Sequence, residues 1–348
     1  AGRCRAQRRL RPCAALMPGP LAVLRCWVLM AATAAFVPAA IGAGQAPALP
    51  RAAAEGWLAR INQAATDRNY RGTMVVAAEG TVSSSRVAHV GVGRDVYERV
   101  EALDGHLHRI YRHNDTVHTV WPDRKVVVVE QRAASPGLVS TRRSVEPRAL
   151  DHYTLHLLKK SHVAGRPAQQ LLLQPRDELR FAQRLWADES TGLLLRADVL
   201  DAEGRVLESS AFSEVEIGSP ADGAALLDGM APPGYEVLPS KREPVDWNTQ
   251  GWRLKAPLPG FDLVGCVRRP APAQSGDALQ AVFSDGLSFV SLFIEAYRET
   301  RHTGALAAEL GAMHTVMQRV GDHWITAMGD VPRRTLEQFI RELERRPQ

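Results

Sequence analysis

Four histidines crowd one stretch of the chain: His106, His108, His113 and His118. Imidazole nitrogens so placed are the ligands that zinc and copper take, and His106 and His108, two apart, would share one face of a strand. The spacing is loose and no carboxylate is fixed beside them. Ordinary sheet residues are therefore the plainer expectation, and no metal site is assigned. A second set consists of carboxylates, Glu98, Glu101, Asp104 and Glu130. Two of them held together could perform acid/base chemistry on a glycosidic bond. Asp104 is better explained by its turn with Gly105, and the glutamates by ion pairs with Arg86, Arg99 or Arg109. Arg142 and Arg143, with Arg148, offer guanidinium groups to an anionic partner such as a phosphate head group, or else form a solvated loop. The sequence contains no G-x-S-x-G, H-E-x-x-H, C-x-x-C, Walker loop or G-x-G-x-x-G. The expectation is a binding protein with no cofactor rather than an enzyme.

The elements that would carry these residues begin after an apparent export leader. Arg3, Arg5, Arg8, Arg9 and Arg11 precede an apolar run, Cys26 to Val37, which Pro38 breaks and small residues follow. About a dozen apolar residues suit a secretory leader and fall short of a bilayer span of ~20. A leader over residues 1–43 is the expectation, with Met17 as a second candidate start and an N-terminal membrane anchor as the alternative. Six of the 43 Lys and Arg residues and none of the 38 Asp and Glu residues lie in 1–43. The rest of the chain therefore holds 37 basic against 38 acidic side chains, and the formal charge of +5 belongs to the leader. That removes the case for a nucleic-acid partner. Three of the four cysteines go with the leader, so the single remaining Cys266 allows no intramolecular disulfide framework.

Trp57, Leu58, Ile61, Ala64 and Ala65 recur at helical period. From Gly72 to Glu130 the period changes to short β-branched runs parted by Glu79-Gly80, Asp104-Gly105, Asn114-Asp115 and Pro122-Asp123, the pattern of an antiparallel meander. After a looser stretch from Ala133 to Arg148 the strands resume to Val215. About ten such strands must curl, into a closed barrel or into a half-barrel lined by helices. The expected boundaries are a large β domain over 50–217, a Pro- and Gly-rich linker over 218–246, and a small α+β domain over 247–348. The last contains a hairpin at Ser284-Asp285-Gly286 and a terminal helix with Leu336, Phe339, Ile340 and Leu343 on its buried stripe. If the curled sheet is open on one side, its inner face offers a groove for an acyl chain.

The motifs Tyr70-Arg71-Gly72-Thr73, Arg86-Val87-Ala88-His89, Glu98-Arg99 and Leu103-Asp104-Gly105 occur in an order that resembles the MucB/RseB family of periplasmic regulators of envelope-stress sigma factors. Val163-Ala164-Gly165-Arg166, Pro175-Arg176-Asp177, Leu185-Trp186-Ala187-Asp188, Gly192 to Leu195, Leu200 to Glu208 and Phe212 extend the likeness. Ser284 to Leu287, Gly321-Asp322 and Gly329-Asp330-Val331-Pro332 carry it into the second unit. Asp330 stands where the family pattern has Glu. The resemblance implies an α+β, mainly antiparallel fold with a large curved half-barrel, like that of lipoprotein carriers, plus the smaller C-terminal domain. It implies a periplasmic protein that binds the periplasmic part of a membrane-spanning anti-sigma factor, shields it from regulated proteolysis, and is released by a lipid-type signal. Lipid or lipoprotein acyl chains are the second expected ligand, acting by shifting the relative arrangement of the domains, and homo-oligomerisation is left open. Trp121, Trp186, Arg142, Arg143, Phe289 and Phe293 are the candidate ligand- or partner-binding side chains. Two other classes remain at this level: a lipid or lipoprotein carrier that binds no anti-sigma factor, and a hydrolase of envelope glycans, which lacks a recognisable nucleophile.

Overall fold

Alternating apolar and polar residues parted by tight turns force neighbouring strands to pair antiparallel, and eleven strands do so. The computed structural model describes residues 47–131, 145–218, 222–240, 242–270, 276–302, 304 and 306–345. Helix α1 (Arg51–Asp67) comes first, with Ala54, Leu58, Ile61 and Ala64 as its buried line. Trp57 and Ala65 lie half-buried at the border of that line. The chain then forms β1 (Tyr70–Ala78), β2 (Thr81–Val92), β3 (Asp95–Ala102), β4 (Arg109–His113), β5 (Thr116–Trp121) and β6 (Val126–Gln131). It continues with β7 (Tyr153–Val163), β8 (Arg166–Pro175), β9 (Ala182–Asp188), β10 (Leu194–Leu200) and β11 (Val206–Ile217). The strands match the expected ones, and several run longer. Strand β2 takes in Thr81–Ser85, a serine-rich stretch that reads as loop by composition but is paired along β1. His106 and His108 do not share a strand face: the chain from Leu103 to His108 bends, and β4 starts at Arg109.

The strand order β6-β5-β4-β3-β2-β1-β11-β10-β9-β8-β7 joins two meanders through the antiparallel pair β1 and β11. The sheet is open and curved, and α1 packs along one face of it. Leu58 and Ile61 meet Leu171, Leu185 and Ala197, while Ala64 meets Tyr70, Val87 and Val100. Fully burying a leucine or isoleucine stabilises by about 2 kcal/mol, so Leu58 and Ile61 fix the helix on the sheet. The turns are built as their residues require. In Asp201 to Arg205, the Asp201 carboxylate accepts from the backbone N–H of Glu203 at 3.0 Å and of Arg205 at 2.8 Å.

The remaining strands are β12 (Glu236–Pro239), β13 (Glu243–Pro244), β14 (Trp252–Leu254), β15 (Asp262–Pro270), β16 (Asp277–Ser284), β17 (Phe289–Ala296), β18 (Leu306–Leu310), β19 (Met313–Val320), β20 (His323–Gly329) and β21 (Leu343–Arg345). Helix α2 (Arg333–Glu342) precedes β21. The described part of 218–246 is docked, despite its linker composition. Leu227, Met230 and Tyr235 pack on Tyr111, Val120 and Val127. Strand β12 adds in parallel to β6, making the large sheet twelve-stranded, and β13 pairs with β15. The C-terminal domain is a seven-stranded sheet in the order β13-β15-β16-β17-β20-β19-β18, covered by α2. Val290, Leu292 and Ile294 point into its core with Leu336, Phe339 and Ile340. Leu343, expected on the helix, is buried but belongs to β21, which pairs with β14. Among the described residues no helix is long and apolar enough to cross a membrane.

Candidate binding groove and domain junction

The cross-strand register places one row of side chains on the sheet face that carries α1, beyond the helix's reach. Phe212 pairs with Met74, Met74 with Ser85, and Ser85 with Ala102. The row continues through His108, whose carbonyl accepts from the Ala102 N–H at 3.1 Å, and ends at Trp121 opposite Val126. Its inner end, Phe212 and Met74, belongs to the core beneath α1. Its outer end opens into a groove of about 620 Å³ lined by Ser83 to Ser85, Ala102, Leu107, His108, Trp121 and Arg124, among others. His108 stacks on Trp121 at 5.0 Å, and the Arg124 guanidinium lies 5.7 Å from the same ring. Asp104 holds the rim by accepting from the Ser84 N–H at 2.9 Å and from its hydroxyl at 2.5 Å. Leu107 is half exposed at the mouth. The trough is mainly apolar, and its polar lining carries both signs, Arg124 together with Asp104 and Asp123, beside the serine hydroxyls, a mixture that suits an amphiphile.

Of the candidate residues that are described, only Trp121 lines this groove. Trp186 is 6% exposed, in the core cluster with Ala168, Leu193 and Leu195, with Arg196 over its ring at 4.6 Å and Arg184 at 6.0 Å. Phe289 and Phe293 are half-buried on the outer face of the seven-stranded sheet, and Arg269 covers Phe293 at 5.6 Å. Arg142 and Arg143 lie outside the described residues. Arg148 is engaged, with Glu146 at 2.6 Å and Asp262 at 2.8 Å. The histidines separate as well. His113 stacks on Tyr97 at 4.6 Å and faces Asp95 at 3.5 Å, while His118 pairs with Tyr111 on the opposite sheet face from His108. Among the described residues no group of three or more His, Cys, Asp or Glu could hold a metal ion. Glu101 is the carboxylate bridged by Arg86, Arg99 and Arg109, whereas Glu98 faces Arg112 and Glu130 pairs with Arg242.

Sequence reasoning missed a fully buried ion pair at the junction of the two domains. The loop after β8 sends Arg180 across to Asp285 in the turn between β16 and β17, at 2.6 Å, with both side chains fully buried. Asp285 is otherwise saturated. One oxygen accepts from the Leu287 and Ser288 N–H groups at 2.9 and 2.7 Å, and the other from the Tyr153 hydroxyl at 3.3 Å. Burial, and then the Asp285 charge, push the Tyr153 hydroxyl well above its ordinary value, so it remains a donor. Arg180 also donates to Asp177 and to the Pro259 carbonyl, and lies 4.7 Å from the Phe261 ring. The two loops exchange apolar residues too. Leu179 packs into the C-terminal core, and Leu287 packs into the core under α1. Gly286, at φ 93°, has no room for a side chain: a Cβ would stand 3.0 Å from both Glu146 and Arg148. The only hint in the sequence was an Asp-Gly turn dipeptide, and nothing in its spacing says that the aspartate is buried.

Comparison with known proteins accords with this architecture. The N-terminal-domain model of MucB/RseB matches residues 53–230 and the C-terminal-domain model matches 246–344. The sigma factor AlgU regulatory protein MucB of Pseudomonas aeruginosa is 29% identical over 299 residues, covering 84% of this chain and 90% of its own. The sigma-E factor regulatory protein RseB of Haemophilus influenzae is 25% identical over 293 residues, covering 82% and 90%. A crystal structure of MucB in complex with MucA(peri) superposes with a TM-score of 0.66 at 26% identity, covering 85% of this chain and 100% of that one. With both domain models matched in order along one chain, this protein belongs to the MucB/RseB family.

Proposed function

We propose that the chain is a periplasmic regulator that binds the periplasmic part of a membrane-spanning anti-sigma factor and shields it from regulated proteolysis. The observation that carries this is the match, over both domains, to a MucB solved together with MucA(peri). The relatives are named as regulatory proteins, and the buried or ion-paired states of Glu98, Glu101 and Glu130 leave no locked acid pair for glycan hydrolysis. Export through the leader of residues 1–43 belongs to the same reading.

The second part is release by a lipid-type signal, with the Trp121 groove as the acyl site. Its row of side chains continues into the core, and Arg124 lines it, beside Asp123, as the guanidinium that would meet an anionic head group. The test is a calorimetric titration of the exported chain with the anti-sigma periplasmic fragment, with and without a saturating anionic lysophospholipid. Saturable fragment binding that lipid weakens is expected. If the fragment does not bind, the regulatory reading fails; if its affinity is the same at saturating lipid, the release reading fails. Lipid binding without any fragment binding would mark a carrier instead.

A further inference from the structure

The two domains meet a second time at Phe181, the residue that follows Arg180. The turn between β18 and β19, Gly311-Ala312, seats against the end of β1 and against β11. A Cβ on Gly311, at φ 58°, would stand 2.8 Å from the Ala78 Cβ and 3.1 Å from the Leu207 carbonyl. Ala312, Phe181, Val199 and Leu207 form a small apolar cluster there. Directly beneath it lies His314. Its ring meets Phe181 edge to face at 5.5 Å, it is 9% exposed, and its Nδ1 is buried with no hydrogen-bond partner among the described residues.

We propose that this contact is an acid-sensitive seam between the domains, with His314 as the group whose protonation opens it. An imidazolium must donate from both ring nitrogens. In the closed seam one of them points into apolar contacts, so the charged ring is disfavoured until the Gly311 turn lifts away and admits water.

The charged groups around the ring come from every element packed on it. Glu309 is its cross-strand partner on β18, Glu79 reaches it from the β1–β2 turn, and Arg333 faces it from the start of α2. The Phe181 loop adds Asp177 and Arg180, which are paired with each other. Burial is the largest influence and lowers the His314 pKa; the two glutamates oppose it, and Arg333 reinforces it. With the closed-state value below that of the open ring, closure is at full strength above the open-state value near 6.5. It weakens as pH falls from there to the lower closed-state value, tenfold in the closed-to-open ratio per pH unit.

Hydrogen exchange of the full exported chain at pH 5 and pH 7.5, corrected for chemical exchange rates, reads this directly. The backbone amides around Ala78 and around Ala312 should open several-fold more often in acid, while those around Asp285 do not follow. His314→Gln should abolish the difference, and His162→Gln, at an exposed position, should leave it intact. Should His314→Gln fail to fold, Glu79→Gln on the exposed turn serves instead. It removes a charge that favours the imidazolium in the closed seam, so the response, which still begins near the open-state value, should extend to lower pH. Equal protection at both pH values in the wild type, or an acid response that survives His314→Gln, would overturn the proposal.

Discussion

Breaking the Arg180–Asp285 pair from one side is the most discriminating perturbation of this molecule. Both side chains are fully buried, so replacing one leaves the other charge without water and with fewer partners, a cost of about 3–5 kcal/mol. Arg180→Met keeps the apolar stem against Phe261 and removes the charge facing Asp285. Asp285→Asn keeps an acceptor for the Leu287 and Ser288 N–H groups but turns an amide N–H₂ towards the arginine. Each single variant should therefore lose roughly 3 kcal/mol or more. At an m-value of ~3 kcal/mol/M for a chain of this size, the urea midpoint falls by about 1 M. The double variant removes both charges and should lose less than the sum of the singles, with a coupling of about 2 kcal/mol. The assay is urea unfolding followed by tryptophan fluorescence, since Trp247 and Trp252 lie in the C-terminal core and Trp186 in the large sheet. Single variants within about 0.5 kcal/mol of wild type, or strict additivity in the double, would refute the claim that the pair organises the junction.

Three further outcomes follow from burial and charge. Trp186→Ala should cost about 3–5 kcal/mol in urea unfolding, and once folded at low temperature it should bind the anti-sigma fragment as wild type does; a selective loss of binding would restore Trp186 as a contact residue. Burial alone would raise the Asp188 carboxyl, but hydrogen bonds from Arg166, Ser190 and Thr191 hold it well below the usual carboxylate range. Its stabilisation is thus present above pH 4 and lost as pH falls through the lower folded value, so the loss of about 2 kcal/mol on Asp188→Asn should shrink in an acid titration of stability. Burial, then the Asp246 charge, push the Cys266 thiol up to about 11. A thiol reagent at pH 7.5 should therefore label it only in urea, at the global unfolding midpoint.

Strand positions were legible because tight-turn residues punctuate β-branched runs. The antiparallel hairpins follow from connections too short for anything else. Joining the two meanders through β1 and β11 was not legible. Those strands are far apart in sequence, and their apolar patterns, Met74 with Phe212 and Gly72 with Val215, would serve many pairings equally well. Composition also misrepresented residues 222–240. Proline and glycine there permit a flexible chain, but Leu227, Met230 and Tyr235 bury themselves on Tyr111 and Val120, and four backbone positions pair with β6. Trp121 emerged as a groove residue while Trp186 became buried because side-chain type carries no information about which residues of other strands pack on an indole: Leu193 and Leu195 share a core cluster with Trp186, whereas Trp121 lines the groove.

The two contacts between the domains bear differently on release by a ligand in the groove. Such a ligand can shift only an equilibrium whose two states it binds differently. At the Arg180 junction no residue lines the groove. Separating the domains there would also expose Leu179 and Leu287, on the order of 2 kcal/mol each, so an occupied groove gains nothing from it. The seam at His314 is different. Ser83 to Ser85 of the groove wall continue directly into the β1–β2 turn, where Glu79 faces His314 and Ala78 supports Gly311. Movement of that hairpin is felt at both places. If groove and seam share it, linkage requires the effect to be mutual: if protonation of His314 changes lipid affinity, lipid must change the proton affinity of His314 by the same factor. Isothermal titrations of an anionic lysophospholipid at pH 5 and 7.5, paired with the pH dependence of hydrogen exchange at Ala78 with and without lipid, measure the two sides. A pH-dependent lipid affinity and a lipid-dependent acid response at Ala78, both lost in His314→Gln, are expected. A pH-independent lipid affinity beside an acid-opened seam would uncouple the two and leave the groove without a route to the C-terminal domain.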